Sequence, residues 1–410
     1  MNTLIKNVRI FDGTGAPSYD GAVLVSGNRI AKVLRADDDA DLPDADQVID
    51  GEGKTLMPGL VDAHTHLTWG SSIEKIYHQF ILSEDEYNVA ARRNARVLLD
   101  HGFTSLYSAG ALTDGLEPAL HDEIDSGKTV GPRLIPSTIE RSPEGEEGVD
   151  TGGVFHGRGP DAMREFVQHC KDTGVESIKL VVSGEDALKP DTAMDILYTE
   201  EEIQAAGEAA KDAGLWIAAH TYSPKAIRMA IDAGARALYH CSFADDETVD
   251  YMAKHKDSIF YSPGTGVSVA ALEANPPPHV DMTHMKASAA ARMEAEKTLV
   301  PKLKEAGVRI CIGGDYGFPF NPHGTNARDI LHYVEYFGFT PTEALKAATM
   351  NGGELMGLET GQVKEGYLAD LLLVDGDPTQ NPAVLLDANN LAMIMLDGDL
   401  HKAPSELVTA

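Results

Sequence analysis

Two histidines, His64 and His66, stand two residues apart where a short apolar segment ends. The segment from Leu56 to Ala63 is bounded by glycine and proline, which is typical of a buried strand. Because alternate residues of a strand point to the same side, both imidazoles would face one point. Two nitrogen ligands in that arrangement suit a metal ion, and two polar residues at a strand end without a ligand role are the alternative.

Four more ionisable residues lie in or directly after later apolar segments: Lys179, His220, His240 and Asp315. In a barrel of alternating strands and helices, the carboxyl ends of the strands form one rim, where the chemistry takes place. A single polar group at a strand end is usually a satisfied core residue, but six on one rim are hard to explain in that way. The pattern therefore predicts a metal-dependent active site.

Lys179 is the unusual member of this set, because Ile178 and Leu180 flank it within an apolar strand. Burying an ammonium group is costly, so a desolvated lysine favours its neutral amine. That amine can react with carbon dioxide to give N6-carboxylysine, an anion whose two oxygens can bridge two cations. The alternative is an ion pair between Lys179 and Asp315 across the barrel.

The elements that would position these residues alternate between strand and helix. Between Leu56 and about residue 357, eight apolar segments are mostly separated by helical patterns, which predicts a parallel (β/α)8 TIM barrel at 57–357 in an α/β protein. The β pattern of residues 1–56 returns at 358–410, so we expect these two segments to form one small β-sandwich domain. The stretch 264–283 is interpreted as a lid loop.

Composition narrows the class of protein. The formal net charge of −30 over 410 residues argues against nucleic acid and against an anionic membrane surface as partners. Three scattered cysteines, Cys170, Cys241 and Cys311, give no disulfide framework and fit a reducing compartment. No segment has the apolar length of a signal peptide or of a membrane span, so we expect a cytoplasmic protein.

Taken together, these residues resemble the amidohydrolase superfamily, in its binuclear subtype with a carboxylated lysine. The resemblance covers nearly the whole chain and includes the motif from Pro58 to His66 and the late segment from Gly366 to Leu371. Within the superfamily the chain is most similar to Xaa-Pro dipeptidases, arginine/lysine carboxypeptidases and ochratoxinase-like amidases. The segment beginning at His220 and the pair His323-Gly324 resemble the corresponding segments of that group.

The resemblance implies two divalent metal ions, with zinc as the default and manganese, cobalt or iron as alternatives. It implies that carboxylated Lys179 bridges the two ions. The remaining implied ligands are His64, His66 and Asp315 for the first ion, and His220 and His240 for the second. Relatives tend to be homo-oligomers, so we expect the same of this chain.

The implied activity is hydrolysis of an amide bond in a small molecule: a dipeptide, an N-acyl amino acid such as an ochratoxin-like amide, or an aryl amide. A hydroxide bridging the metals would attack, and Asp315 would move its proton to the leaving nitrogen. The alternatives are hydrolysis of a cyclic amide or carbamate and deamination of an amino-heterocycle, although deaminase subtypes usually lack the strand-four lysine. A non-enzymatic barrel protein would be expected to have lost some ligands.

Residues of the rim loops should contact the substrate. Trp69 would stack on a substrate or pack within the rim, while Tyr222 and His323 would bind a carbonyl or a carboxylate. Arg141 is either a carboxylate-binding residue or, more simply, a solvated arginine. The substrate-binding residues that we expect are Trp69, Tyr222, His323, His156 and Tyr239, the last standing where relatives often have glutamate.

Overall fold

The chain forms two compact units in the computed structural model. One consists of Met1–Asp62, Arg96–Ser105 and Ile330–Ala410, and the other of Ala63–Ala95 and Leu106–Asp329. The structure describes residues 1–38, 41–71, 82–143, 157–187, 189–404 and 407–409.

The described residues form seventeen strands and eleven α-helices. In chain order, strands β1 to β17 span Asn2–Ile10, Tyr19–Ser26, Arg29–Arg35, Gln47–Asp50, Thr55–Pro58, Leu60–Thr65, Phe103–Ser108, Arg133–Ile135, Ser177–Val181, Trp216–Thr221, Ala237–His240, Phe260–Ser262, Arg309–Ile310, Leu371–Val374, Leu391–Leu396, Asp399–Lys402 and Leu407–Thr409. Helices α1 to α11 span Glu84–Asp100, Leu116–Asp125, Pro160–Thr173, Glu200–Ala213, Pro224–Asp232, Asp246–Lys254, Thr265–Glu273, Thr283–Glu305, Arg328–Phe337, Pro341–Ala347 and Met350–Leu355.

The first unit contains a nine-stranded sheet that takes strands from both ends of the chain. Its main path is β16-β15-β14-β5-β1-β2-β3, while β4 pairs with β1 and β17. β14 is antiparallel to β5 and β17 is antiparallel to β4. Ile5, Val8 and Ile10 of β1 are buried in its core, and a register shift between Ile5 and Val8 offsets the usual alternation. A sandwich arrangement of these strands stays a prediction.

The second unit contains five parallel strands in the order β13-β12-β11-β10-β9. Strands β6, β7 and β8 form a separate three-stranded sheet. Beside the outer strand β9, the Arg141 amide donates a hydrogen bond to the Lys179 carbonyl at 3.0 Å. Near β13, the Ala63 amide donates to the Ile312 carbonyl, also at 3.0 Å. The α/β class is confirmed, whereas a closed barrel stays a prediction.

The apolar segment from Leu56 to Ala63 is two strands, and the prediction of one continuous strand is wrong. Gly59 separates β5, which belongs to the nine-stranded sheet, from β6, which belongs to the three-stranded sheet. A β-carbon at Gly59 would lie 2.0 Å from the Thr104 hydroxyl oxygen, so only glycine fits here. The preceding Pro58 lacks an amide hydrogen, which makes it a suitable end for β5.

The stretch 264–283 is also not the loop that the sequence suggested, because helix α7 occupies Thr265–Glu273. Its residues are buried from Thr265 to Ala271, so the helix is enclosed on all sides rather than amphipathic. A helix without a polar face has no 3.6-residue pattern by which it could be recognised in the sequence.

The three cysteines Cys170, Cys241 and Cys311 are buried, and none of them forms a disulfide bond with another described residue. Among the described residues, every helix is too short or too polar to cross a membrane.

Candidate metal centre

Strand register brings the central ligands together. Ala218 of β10 pairs with Lys179 of β9, and His220 of β10 pairs with Tyr239 of β11. Paired residues share a side of the sheet and every second residue returns to it, so Lys179, His220 and Tyr239 project to the same side. His240 would project to the opposite side in a regular strand, but its φ of 66° breaks the alternation. Its ring consequently lies 4.7 Å from the His220 ring.

A left-handed backbone also positions the carboxylate of Asp315, whose φ is 59°. Strained conformations of non-glycine residues cost about 1–3 kcal/mol and concentrate at functional sites. One oxygen of Asp315, Oδ1, lies 3.1 Å from His66 Nε2 and 3.6 Å from His64 Nε2. His64 near the end of β6, His66 just after it and Asp315 beyond β13 therefore lie close together.

The hydrogen bonding of His66 points to a cation at this place. Its Nδ1 is 3.0 Å from the Gly110 carbonyl oxygen, which can only accept, so Nδ1 carries the proton. With the ring proton on Nδ1, the lone pair of Nε2 faces the Asp315 oxygen 3.1 Å away. Two such electron-rich atoms repel each other unless a proton or a metal ion lies between them.

Two groups of ligand atoms, each within 4.8 Å of one another, meet at His240. The first joins His240 to His64 and Asp315, and the second joins it to His220 and Glu185. His66 is linked to the first group because its Nε2 lies 3.1 Å from Asp315 Oδ1. The sequence-based assignment placed His240 with His220 and the bridging Lys179, and it did not include Glu185.

The protonation states suit metal binding. Burial lowers the pKa of His220 to about 4 and holds the pKa values of His64 and His240 well below the ordinary histidine value. Burial alone would raise the pKa of Asp315, but His64 and its neighbours hold it well below the usual range. At neutral pH the site thus offers neutral imidazoles and an ionised carboxylate, which are the forms that bind metal.

A buried imidazole nitrogen without a hydrogen-bond partner among the described residues supports this interpretation. His220 Nε2 is buried and makes no hydrogen bond with the described residues, and Glu185 Oε2 lies 3.8 Å from it. Native proteins rarely leave such an atom unsatisfied, so it marks a ligand position. Imidazole nitrogens with carboxylate oxygens are the donor set of zinc and related divalent ions, and the residues present fit such an ion.

Lys179 lies in the same cleft, 1% exposed. Its Nζ donates to the Ala109 carbonyl at 2.8 Å and lies 3.7 Å from Glu140 Oε2. The ring of Tyr239 is 4.6 Å from the same Nζ. The ion-pair partner that the described residues give Lys179 is Glu140, so the alternative of a pair with Asp315 is not the arrangement found.

The expected substrate-binding residues fall into two sets. Trp69 and Tyr222 line the cleft, where Trp69 stacks on His66 with the rings 4.0 Å apart and 5° from parallel. Tyr239 instead packs against His64, with ring centroids 3.9 Å apart, and its hydroxyl donates to the Ala63 carbonyl at 2.8 Å. Tyr239 therefore supports a ligand rather than facing the cavity.

His323 and His156 were also expected to contact substrate. His323 Nε2 donates to the His66 carbonyl at 3.0 Å, which fixes the backbone of that ligand. His156 lies outside the described residues. Arg141 is only 3% exposed, and its guanidinium donates to the Gly157 carbonyl at 2.6 Å, so the interpretation as a solvated arginine is wrong.

Sequence reasoning missed three charged residues that line the cleft: Glu140, Glu185 and Arg292. Glu185 follows Ser183-Gly184 after β9, and a search for acids just beyond strand ends would have found it. Glu140 lies beyond the three-residue strand β8, whose end the sequence hardly marks. Arg292 belongs to the middle of α8, far from any strand end, and carries no local signal.

The cleft around these groups has a volume of about 850 Å³, including the space at its open mouth. It is lined by the histidine cluster, by the charged residues named above and by apolar side chains. Pockets with a few convergent polar groups among apolar walls are typical of sites for small molecules. The apolar wall residues are Leu112, Val181, Ala187, Val267, Ala271, Met285, Phe318 and Phe320.

Buried neutral imidazoles and an ionised carboxylate at the ends of strands define a candidate site of the metal-dependent hydrolase class. Comparison with known proteins identifies the family within that class. The model of the amidohydrolase family matches residues 55–400, and the chain belongs to that family. It is a hydrolase that acts on carbon–nitrogen amide bonds of small substrates.

The chain is similar to several characterised proteins. It is 27% identical to ochratoxinase of Aspergillus niger over 98% of this chain and 87% of the relative, and 23% identical to imidazolonepropionase of Idiomarina loihiensis over 98% of both. A solved Xaa-Pro dipeptidase with bound methionine superposes with a TM-score of 0.86 at 26% identity, covering 98% of this chain and 100% of that one. A prolidase complexed with N-methylphosphonate-L-proline gives 0.83 at 25% identity, with the same coverage.

Proposed function

We propose that this chain is a metal-dependent amidase that releases an amino acid from a dipeptide or an N-acyl amino acid. The main support for this proposal is the pair of ligand groups that share His240, in a cleft lined largely by apolar side chains. A cleft with a few convergent polar groups among apolar side chains is typical of a site for a small molecule rather than for a folded protein.

We propose two divalent ions, with zinc as the default. His64, His66 and Asp315 would hold one ion, and His220 and His240 the other. Lys179, carboxylated at Nζ, would contribute to both, and it lies buried in the same cleft. When bound, the ions supply an activated water and polarise the substrate carbonyl.

The remaining roles belong to the protein. Asp315, ionised at neutral pH, would take the proton from the attacking water and deliver it to the leaving nitrogen, which leaves poorly as an anion. Trp69, held against His66, would form one flat wall for the substrate. The Tyr222 ring would form a second wall beside the His220–His240 pair, since its centroid lies 4.8 Å and 5.0 Å from theirs.

The relatives support a substrate with an amino acid on the leaving side. The names of two solved neighbours specify dipeptidase activity at Xaa-Pro and a complex with an L-proline derivative. The apolar walls of this cleft are suited to apolar side chains of such a substrate.

Hydrolysis of a cyclic amide is the second candidate, favoured by the similarity to imidazolonepropionase. Both candidates use the same metal ligands, so they differ in the substrate and not in the centre. A linear amide releases a separate amine, whereas a ring-opening product keeps both ends in one molecule. The mass of the product therefore distinguishes them.

The architecture that we propose for the second unit is a (β/α)8 barrel made of β6 to β13. The bonds from Arg141 to β9 and from Ala63 to Ile312 support closure, because they lie at the two outer strands of the five-stranded sheet. For the nine strands of the first unit we propose a β-sandwich, with domain limits at 1–56 plus 358–410 and at 57–357.

The test is mass-spectrometric turnover of a mixed panel by zinc- or manganese-loaded protein. The panel contains dipeptides, N-acyl amino acids, aryl amides, cyclic amides and amino-heterocycles. We expect cleavage of dipeptides or N-acyl amino acids, at least 10³-fold slower in Asp315→Asn. The matched control is Asp161→Asn, whose carboxylate pairs with Arg164 on the surface. Turnover of cyclic amides alone would overturn the proposal and favour the second candidate.

A further inference from the structure

Helix α8 places the guanidinium of Arg292 in the wall of the cleft, with only 4% of the residue exposed. An arginine cannot be deprotonated in a protein, so a full positive charge is buried there. A buried charge is tolerated only when it is paired and hydrogen-bonded, or when it is retained for a ligand. The partners of Arg292 therefore indicate whether its charge is fully paired within the protein or is available to a ligand.

The hydrogen bonds that the described residues make to the buried guanidinium of Arg292 do not use all of its donors. Nη1 donates to the Tyr222 hydroxyl at 3.1 Å and, each at 3.3 Å, to Glu185 Oε1 and the Ser288 hydroxyl. Nε donates to the Ser268 hydroxyl at 3.3 Å. The second terminal nitrogen, Nη2, makes no hydrogen bond with the described residues and retains its two donor hydrogens. A carboxylate binds an arginine most strongly through two parallel bonds, so half of this fork is left for a ligand.

The nearby acids do not neutralise this arginine fully. Glu185 is shared, since its Oε2 accepts from Tyr222 at 3.0 Å and lies 3.8 Å from His220 Nε2. Glu296, one helical turn after Arg292, accepts from the hydroxyls of Ser242 and Thr265 instead. Burial raises the pKa of Glu296 to about 8, so this acid is mostly uncharged at neutral pH. A negative charge from a ligand would complete the balance.

The position of Arg292 relative to the histidines fixes which carboxylate can reach it. Tyr222 separates the two, with its hydroxyl on Arg292 and its ring against His220 and His240. The arginine is thus one side chain away from the proposed point of cleavage. In an amide of an amino acid, the α-carboxylate is two covalent bonds from the scissile nitrogen, which matches so short a separation.

We infer that Arg292, with Tyr222, forms a subsite for the free α-carboxylate of the leaving amino acid. This inference rests on the proposed amidase function and narrows it: the substrate must end in an unblocked carboxylate. Amidated, esterified and internal peptide bonds, aryl amides and neutral cyclic amides would be poor substrates. Since no covalent step is assigned to Arg292, it is a specificity-determining residue.

The wall next to this subsite predicts the side chain of the leaving amino acid. Ala271 of α7 and Met285 of α8 belong to one buried apolar cluster, against which Phe320 packs. All three also line the cleft, and Val267 does as well. Placing a charged side chain there would remove it from water without a partner. The leaving amino acid is therefore apolar.

The experiment compares N-acetyl-L-phenylalanine with N-acetyl-L-phenylalaninamide, which differ only in the carboxylate. Binding is measured by calorimetry with metal-free protein, and turnover with zinc-loaded protein. We expect wild type to bind the acid about 10²-fold more tightly than the amide, and Arg292→Met to reduce that ratio to about threefold or less. Arg292→Lys, which keeps the charge but not the fork, should give an intermediate ratio.

The ratio is taken within one preparation, so a variant that folds incompletely still gives a valid result. Arg328→Met is the matched control, because Arg328 also pairs with a carboxylate, that of Glu273 at 2.6 Å, but outside the cleft. Equal binding of acid and amide by wild type, or undetectable binding of both, would overturn the subsite. Acid-selective binding without turnover would instead leave the subsite and overturn the proposed amidase function.

Discussion

Replacing Gly264 by alanine is a test of His240 that leaves every proposed ligand in place. Gly264 precedes helix α7 with a φ of 73°. A β-carbon at this position would lie 2.7 Å from Nδ1 and 3.0 Å from Cε1 of His240. Non-bonded carbon and nitrogen atoms rest about 3.5 Å apart, so the ring must retreat by roughly 0.8 Å.

Two costs follow from this substitution, and a control separates them. An alanine in a left-handed conformation costs about 1 kcal/mol relative to glycine, which affects stability only. Gly115→Ala carries the same cost, because Gly115 also precedes a helix, has a φ of 72°, and has its nearest contact at an ordinary 3.7 Å. The displacement of His240 is additional, and we expect it to lower metal affinity about 10–100-fold and the rate about 10²-fold.

The assay is competition for zinc against a chelator of known affinity, together with kcat/KM and thermal denaturation. Both variants should melt a few degrees below wild type. The difference between their two melting temperatures should be small compared with either decrease. Only Gly264→Ala should lose metal affinity and activity. If the two variants bind zinc equally well, His240 is not a metal ligand, and the arrangement of the centre given above is wrong.

Three further predictions concern residues around the centre. Lys179→Ala should lose the second metal ion and most activity; full metal content and rate in that variant would refute the bridging role. Burial raises the pKa of Glu296 to about 8, above the unfolded value of about 4.5, so its protonation stabilises the fold fully below pH 4.5 and this stabilisation is lost as the pH rises to 8. The melting temperature of wild type should therefore fall relative to that of Glu296→Gln over this range, and a constant difference would contradict the assignment. Tyr239→Phe removes only the hydrogen bond to the Ala63 carbonyl and keeps the stacking on His64, so zinc affinity should fall less than about tenfold in the same chelator competition; a greater loss would show that the hydroxyl itself acts in the centre.

The sequence was informative wherever an ionisable residue followed a regular apolar strand. His64, His66, Lys179, His220 and Asp315 all lie in the cleft that the rim argument predicted. The alternation of a strand explains Lys179 and His220 directly. It does not explain His240, which reaches the cleft through a left-handed backbone that no pattern of side chains reveals.

The parts that the sequence did not reveal depend on contacts between distant segments. Arg292 reaches the cleft because α8 packs beside α7, and α7 itself was missed because it is buried on every face. Glycine is required at position 59, between β5 and β6, because Thr104 leaves no room for a side chain there. Tyr239 was expected to touch substrate, but its ring packs on His64, an outcome decided by tertiary packing.

Metal dependence of the amidase is measured by following hydrolysis of N-acetyl-L-phenylalanine with mass spectrometry before and after metal removal. We expect release of free phenylalanine by zinc-loaded protein, none after dialysis against a chelator, and recovery when zinc is returned. Asp315→Asn should stay inactive under all three conditions, because the proton-transferring carboxylate is absent. Hydrolysis that continues in the chelated protein, or that survives in Asp315→Asn, would contradict a metal-dependent amidase at this cluster.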